Sequence, residues 1–333
     1  MLRQFVLLRV LDMRGVDLTR FDFDYDLTWA GFFVNHRDHV YGRYGGRDEG
    51  PADKGLSLKG LRYAMQMALN EHRRNPNQAP RPVDKQTSRV EQFPAAQRVK
   101  KGACIHCHQV YDFRRDQLVR GKRWTQDQIF VFPPPENIGL SMTVDQGDRV
   151  KQVRRSSPAA AAGLRPGDVL QSANGYPVAS YGDLQYALHK TDATGPLKLV
   201  WKRGGRNMSR AVPLKPGWRI SDISWRGSMW GLEPNIGVYG DDLTAKQKRA
   251  LGLSSDRLAF RQGKFVPNQS RRAGIRGGDI ILGINDRPLK MKMLQFNAYV
   301  RLNFKVGDSI VFNVVRNGKR LRLPMKLTSQ INK

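Results

Sequence analysis

The alternation of hydrophobic and polar positions predicts a strand, a hairpin and a helix within residues 1–75. The apolar run FVLLRVLD, residues 5–12, is typical of a buried strand, and two β-rich runs flank the turn signal NHRD at residues 35–38. Apolar side chains then recur at helical spacing after Ser57, whose hydroxyl suits an N-cap. We therefore expect a small α/β unit over residues 1–75.

The composition changes after this unit. Residues 76–98 are rich in Pro, Gln and charge, which predicts a linker. Residues 99–133 contain both cysteines of the chain and end at a run of prolines. We expect this cysteine segment to separate the linker from the rest of the chain.

The remainder of the chain contains an internal repeat. PENIGLSM at residues 135–142 recurs as EPNIGVYG at 233–240, and AAGLRPGDVLQSANGYPV at 161–178 recurs as RAGIRGGDIILGINDRPL at 272–289. Each pair is followed by a helix-like stretch and then by strands. The repeat predicts two copies of one domain, at residues 134–215 and 228–329.

The repeated motif resembles the PDZ domain of bacterial HtrA-type proteases, in which an Ala-Gly-Leu turn precedes Gly-Asp, a strand and an Asn-Gly turn. The similarity covers residues 134–327. It implies an α+β multidomain chain with two PDZ domains, which are partly open β-barrels with capping helices. The partners that it implies are protein C-terminal tails or extended segments, which add to a sheet edge.

The resemblance also implies which residues bind such a tail. A turn with a central glycine presents successive backbone N–H groups to a carboxylate. The implied loop residues are Ile138, Gly139 and Leu140 in the first copy and Ile236, Gly237 and Val238 in the second. The implied helical wall is Leu184 and Leu188 in the first copy and Leu294 and Tyr299 in the second. The alternative is that each groove is filled by its own chain and the domains are spacers.

The strand, hairpin and helix order of residues 1–75 resembles the C-terminal half of a thioredoxin-like fold. Two marks of that family are absent, because no Cys-X-X-Cys precedes a first helix and DYDLTWA, residues 24–30, has no proline before the hairpin. We therefore interpret the unit as an incomplete, structural remnant.

Serine protease chemistry is not indicated. A trypsin-like nucleophile needs a Gly-X-Ser-Gly-Gly turn with a separate His and Asp. RGSMWG around Ser228 lacks the following glycines, and no double barrel precedes the repeat. We expect a non-catalytic protein.

Cys104, Cys107 and His108 form the Cys-X-X-Cys-His signature of covalent c-type haem attachment. The two thiols would form the thioethers, and the imidazole would be the proximal iron ligand. Two alternatives stay open. A disulfide or redox dithiol would use the same cysteines, with Lys100 and Lys101 favouring the thiolate, and a zinc site would add histidines. The histidines weighed for zinc are His36, His39, His106 and His108.

The net charge and the haem motif indicate the kind of partner and the cellular location. Lys and Arg outnumber Asp and Glu by 57 to 29, which gives a net charge of +28 and favours an anionic partner or a generally basic surface. The haem motif predicts an extracytoplasmic, periplasmic protein. Because MLRQFVLLRVLDMRG does not form a secretory signal, we expect the true start to lie upstream.

Overall fold

The computed structural model describes residues 1–82 and 87–329, as a mixed α/β structure. The chain divides into two compact units, Met1–Ser221 and Asp222–Lys333. Within the described ranges, no helix combines the length and the apolar character needed to cross a membrane.

The first unit begins with the predicted hairpin and helix. Strands β1 (Gly31–Val34) and β2 (Val40–Tyr44) pair antiparallel. Helix α1 (Leu58–Arg74) begins where predicted, because the Ser57 hydroxyl accepts a hydrogen bond from the Gly60 amide. The predicted strand at residues 5–12 is wrong: this stretch forms no strand and is mostly exposed, as are Val6 and Leu8 at 89% each. The two-stranded sheet therefore lacks the third strand that the thioredoxin-like interpretation uses.

Part of the predicted linker is packed structure. Residues Val90–Gln92 and Pro94–Arg98 form 3₁₀ turns, and residues 83–86 of the same segment lie outside the described residues. Val90 and Phe93 are buried with Ile105 and Val110 around Tyr25. Helix α2 (Gln109–Arg120) follows the cysteines directly. Apolar side chains spaced irregularly among prolines explain why the composition alone indicated a linker.

The first repeat completes the first unit with six strands and two helices. They are β3 (Leu140–Met142), β4 (Val150–Val153), α3 (Pro158–Ala162), β5 (Val169–Ala173), β6 (Tyr176–Pro177), α4 (Tyr181–His189), β7 (Pro196–Arg203) and β8 (Arg206–Pro213). One sheet pairs β3 with β4, and the other has the order β6-β5-β7-β8. Their core closes around Trp201, Leu170 and Leu197.

The second unit contains the second repeat. Its elements are β9 (Gly240–Asp242), α5 (Ala245–Ala250), β10 (Phe260–Gln262), α6 (Asn268–Arg272), β11 (Ile280–Ile284), α7 (Met293–Asn303), β12 (Ser309–Arg316) and β13 (Lys319–Lys326). They form one sheet of order β13-β12-β11-β10-β9, so β9 is an edge strand. Its core contains Phe260, Phe296 and Phe312.

The two repeats share an ion pair between a buried aspartate and a partly exposed arginine. In the first, Asp168 accepts hydrogen bonds from the Arg165 amide at 2.8 Å and from Arg203 Nη2 at 2.7 Å. In the second, Asp279 accepts from the Arg276 amide at 2.8 Å and from Arg316 Nη2 at 2.8 Å. Each arginine also donates to the carbonyl of the Ala-Gly turn, at Gly163 and Gly274. The aspartate of the repeated Gly-Asp motif therefore accepts from a backbone amide of its own turn and from a strand arginine in both repeats.

Candidate peptide-binding grooves

The predicted loop of the first repeat lies between a 3₁₀ turn, Pro135–Ile138, and β3. Gly139 has φ +84°, and a Cβ at this position would overlap the Ser157 side chain, so the loop requires glycine. The Gly139 amide donates to Glu136 O at 3.0 Å. Ile138 and Leu140 are fully buried in the core. The loop glycine thus lies at the start of the strand edge, and its apolar neighbours anchor the loop.

Helix α4 turns a different face to this edge from the one that the sequence indicated. Leu184 and Leu188 are fully buried in the core of the repeat. The residues that contact the segments before and beside the loop are instead Tyr181, Gln185 and His189, one helical turn apart. The assignment of Leu184 and Leu188 to the groove wall stays a prediction.

The chain's own residues 43–47 cover this face of α4. The Gln185 side chain donates to Arg47 O at 3.0 Å and accepts from the Arg47 amide at 3.2 Å. A Cβ on Gly46 would lie 2.5 Å from Tyr181 Cδ1, and one on Gly182 would overlap the Gly45 carbonyl oxygen. Backbone therefore packs directly on helix here, as a docked peptide would.

Burial shifts the pKa values of Asp183 and His189, two titratable residues of α4 at this contact. The Asp183 carboxylate accepts from the Arg43 amide at 2.7 Å, and burial raises its pKa to about 6 although Arg43 opposes the shift. The Arg43 guanidinium lies 3.5 Å from the Tyr186 ring centroid. Burial lowers the pKa of His189 to about 3, so its ring is neutral where it stacks 4.1 Å from the Phe132 ring. The first groove is thus closed by paired groups of the chain itself.

A small cavity remains at the other end of the covered groove. Its volume is about 80 Å³. Residues 44–48 with Pro51, Lys54 and Gly55 line one side, and Glu136, residues 142–144 and Tyr181 line the other. This volume holds a few atoms rather than a peptide side chain with its backbone.

The second unit has the same loop. Gly237 has φ +60°, and a Cβ there would lie 2.7 Å from Ser270 Oγ, which donates to both Ile236 O and Gly237 O. The Gly237 amide donates to Asn235 Oδ1 at 2.8 Å. Ile236 and Val238 are fully buried. A serine side chain thus packs against the loop glycine in both repeats, Ser157 against Gly139 and Ser270 against Gly237.

The outer edge of β9 faces helix α7. Backbone groups at residues 239 and 243 bond to β10, so by strand alternation those of 238, 240 and 242 point the other way. On that side the side-chain amide of Asn297 donates to Val238 O at 3.0 Å. The backbone amide of Met293 donates to the Asp242 side chain, at Oδ1, at 2.9 Å. The facing residues of α7 are therefore Met293 and Asn297. Leu294, which the resemblance placed in this wall, is 40% exposed.

Aromatic residues occupy matching places in the two repeats. Phe132 lies six residues before Ile138 and stacks on His189, whereas Trp230 lies six residues before Ile236 and stands 5.2 Å from the Arg301 guanidinium carbon. His189 and Arg301 occupy the same helical position after the N-caps Ser180 and Lys292. Alignment of the two copies would have identified these positions; the motif by itself did not.

The cysteine segment lies at the surface of the first unit. Cys104 and Cys107 are free thiols, the first exposed and the second half-buried. Burial raises the pKa of Cys107, and Asp26 and Asp24 add to the shift, which is opposite to the lowering expected from the flanking lysines. The His106 and His108 rings are exposed and parallel, 6.1 Å apart.

The described residues assemble no group of three His, Cys, Asp or Glu side chains able to hold a metal ion. Of the histidines weighed for zinc, His39 bonds instead to Ala79 O at 2.9 Å. The zinc alternative therefore lacks a ligand set in this part of the chain.

Comparison with known proteins agrees with the loop and helix geometry. The family model described as PDZ domain matches residues 137–214. A probable periplasmic serine endoprotease DegP-like of Pseudomonas putida (strain W619) is 28% identical over 199 residues, covering 58% of this chain and 40% of that protein. The periplasmic serine endoprotease DegP of Salmonella typhimurium (strain LT2) is 27% identical over 184 residues, covering 53% and 36%.

The chain therefore spans about two fifths of the length of these relatives. Among solved structures, the HtrA3 PDZ domain bound to a phage-derived ligand (FGRWV) is 27% identical; the match covers 23% of this chain and 83% of that one, with a TM-score of 0.20. The family model thus identifies a PDZ domain at residues 137–214, and the curated relatives that match this chain are serine endoproteases of the DegP type.

Proposed function

We propose that this protein is a non-catalytic, extracytoplasmic scaffold with two PDZ domains, which binds the C-terminal tails or extended strands of other proteins. The second domain is supported by the shared ion pair, the loop glycine over a serine and the aromatic residue over the helix. The DegP-like matches also extend over 199 residues, well beyond residues 137–214. The relatives' periplasmic names support the location.

The second domain is the proposed docking site, and the observation that carries this is the position of β9 as the last strand of its sheet. Its outward backbone groups face α7, which is the arrangement that strand addition requires. The corresponding face of the first domain is covered by residues 43–47. In this proposal the first domain uses its groove within the chain, and the hairpin with α1 is the remnant of a thioredoxin-like unit.

Hydrogen exchange tests this assignment. Binding of a free-acid C-terminal peptide, selected from a displayed library against the full chain, is expected to slow exchange of the Gly240 and Asp242 amides. Residues 140–142 of the first domain serve as the internal control and should not change. Protection at residues 140–142 instead, or at neither edge, would contradict the assignment to the second domain.

A second candidate function rests on the cysteine segment. We propose that Cys104 and Cys107 hold a c-type haem with His108 as the iron ligand, for redox sensing or electron transfer. The support is that the thiols are unpaired, and that Cys104 and His108 are exposed where a porphyrin edge has access. When bound, the group would supply one-electron chemistry.

The visible spectrum tests the haem proposal. Protein produced with a cytochrome c maturation system is expected to show a Soret band that persists after denaturation. The variant with both cysteines replaced by serine is the control and should be colourless. A colourless wild-type protein would end the proposal and leave a cofactor-free adaptor.

A further inference from the structure

Arg301 is a buried cation without a counter-ion in the described residues. Its side chain is on α7 and the residue is only 2% exposed. Its Nη1 group donates to Asn297 O and Asn297 Oδ1, both at 3.0 Å, but Nε and Nη2 have no hydrogen-bond partner. No Asp or Glu in the described residues pairs with it, and burial lowers its pKa to about 10. A buried, unpaired guanidinium destabilises a fold, so its presence requires an explanation.

Arg301 is connected to the loop of the second domain. Asn297, which accepts from Arg301, donates in turn to Val238 O at 3.0 Å. The Val238 amide points to the same outward edge, and no acceptor for it is found in the described part of this unit. Asn297 therefore contacts two residues that have N–H groups without an acceptor, namely Val238 through its backbone amide and Arg301 through Nε and Nη2. Together they offer the charge and the donors that a carboxylate accepts.

The first domain lacks this arrangement. The equivalent helical position is His189, which is neutral and stacked on Phe132. The loop glycine amides do not distinguish the two domains, because the Gly139 amide donates to Glu136 O and the Gly237 amide donates to Asn235 Oδ1. Because this histidine is neutral and the groove is covered, the first domain has no comparable anion site. The two domains therefore differ in anion binding through Arg301 and not through the loop, which they share.

We infer that Arg301 is the specificity-determining residue of the second domain, and that it binds the terminal carboxylate of the docked tail together with the Val238 amide. This inference rests on the proposed tail binding. The exposed indole of Trp230, 5.2 Å from the guanidinium carbon, covers the cation until the tail arrives. A planar guanidinium suits a carboxylate better than an ammonium group, so lysine substitutes poorly.

The test compares one tail in two forms. A peptide selected from a library of free C-terminal decapeptides against the full-length protein is synthesised as the acid and as the amide, and both affinities are measured by fluorescence anisotropy. Wild-type protein is expected to prefer the acid by about ten-fold or more, and Arg301→Met to lose that preference. Arg287→Met, an arginine of the same unit that bonds to Tyr299 instead, is the matched control and should keep it.

The results for Arg301→Met and for tail selection separate this inference from the proposed tail binding. If Arg301→Met keeps the acid preference, the inference is overturned while tail binding stands; if no tail is selected by wild-type protein, both fail. Thermal unfolding separates a ligand-binding role from a structural one. Because the cation is unpaired in the free protein, Arg301→Met should unfold at the same or a higher temperature. A marked loss of stability that Arg301→Lys restores would assign Arg301 to the fold and overturn the inference.

Discussion

Gln185 and Arg47 exchange two hydrogen bonds, one from the Gln185 side chain to Arg47 O at 3.0 Å and one back from the Arg47 amide at 3.2 Å. The partner of the PDZ helix is therefore backbone from another part of the same unit. This pairing satisfies groups that an incoming tail would otherwise meet. It makes the first groove an internal contact, which can be opened by substitution.

Gly182→Ala should open it. Glycine to alanine inside a helix normally stabilises by about 1 kcal/mol. Here the added methyl group would overlap the Gly45 carbonyl oxygen, so we expect a net loss of about 1–2 kcal/mol in the free energy of unfolding and faster exchange of amides 45–47. Gly55→Ala, whose added Cβ meets only a contact at 3.7 Å, is the control. A higher melting temperature for Gly182→Ala would refute close packing at this position.

Asp183 predicts a pH dependence of stability. Its folded pKa of about 6 lies above the ordinary 3.8, so the folded state holds the proton more tightly than the unfolded state does. This group's contribution is present below pH 4 and is lost as the pH rises towards 6, up to about 3 kcal/mol. Urea unfolding at several pH values should show that Asp183→Asn removes this slope. Asp192→Asn, at an exposed carboxylate, should leave it, and an unchanged slope in Asp183→Asn would contradict the assignment.

The repeated ion pairs predict matched losses. Asp168→Ala and Asp279→Ala each strip an arginine and a backbone amide of their acceptor, so each should lower the stability of its own unit measurably and by a similar amount. Hydrogen exchange of β7 and of β12 reports the two units separately. Arg322→Ala breaks the exposed pair with Asp286 and should cost close to nothing. Equal effects of all three substitutions would show that burial of the pair is unimportant.

The two cysteines should react at different rates. Cys104 is exposed, whereas Cys107 is half-buried and its pKa is raised by that burial, so less of it is thiolate near neutral pH. Iodoacetamide labelling followed by peptide mass spectrometry is expected to modify Cys104 first, with the gap closing as the pH rises. Urea-unfolded protein, in which both react alike, is the control. Faster labelling of Cys107 would restore the activated-dithiol alternative.

Local pattern predicted the elements that are stabilised by their own sequence. Helix α1 begins at the expected cap because Ser57 and the following apolar stripe are sufficient to define it. The stretch at residues 5–12 shows the limit, since an apolar run without a neighbouring strand to pair with remains exposed chain. Tyr181, Gln185 and His189 show a second limit, because no apolar spacing in the sequence marks the face of α4 that contacts other segments of the chain.

By itself the sequence determined that a Gly-Asp and Ile-Gly motif occurs twice, and local geometry follows from it because a glycine with positive φ and an aspartate accepting from its own turn act over a few residues. Tertiary structure decided which groove is covered and which cation is left unpaired. The Gln185–Arg47 contact joins residues 138 positions apart, and the isolation of Arg301 depends on every side chain packed around it. Such long-range burial leaves no periodic signal in the chain, so only the folded structure shows it.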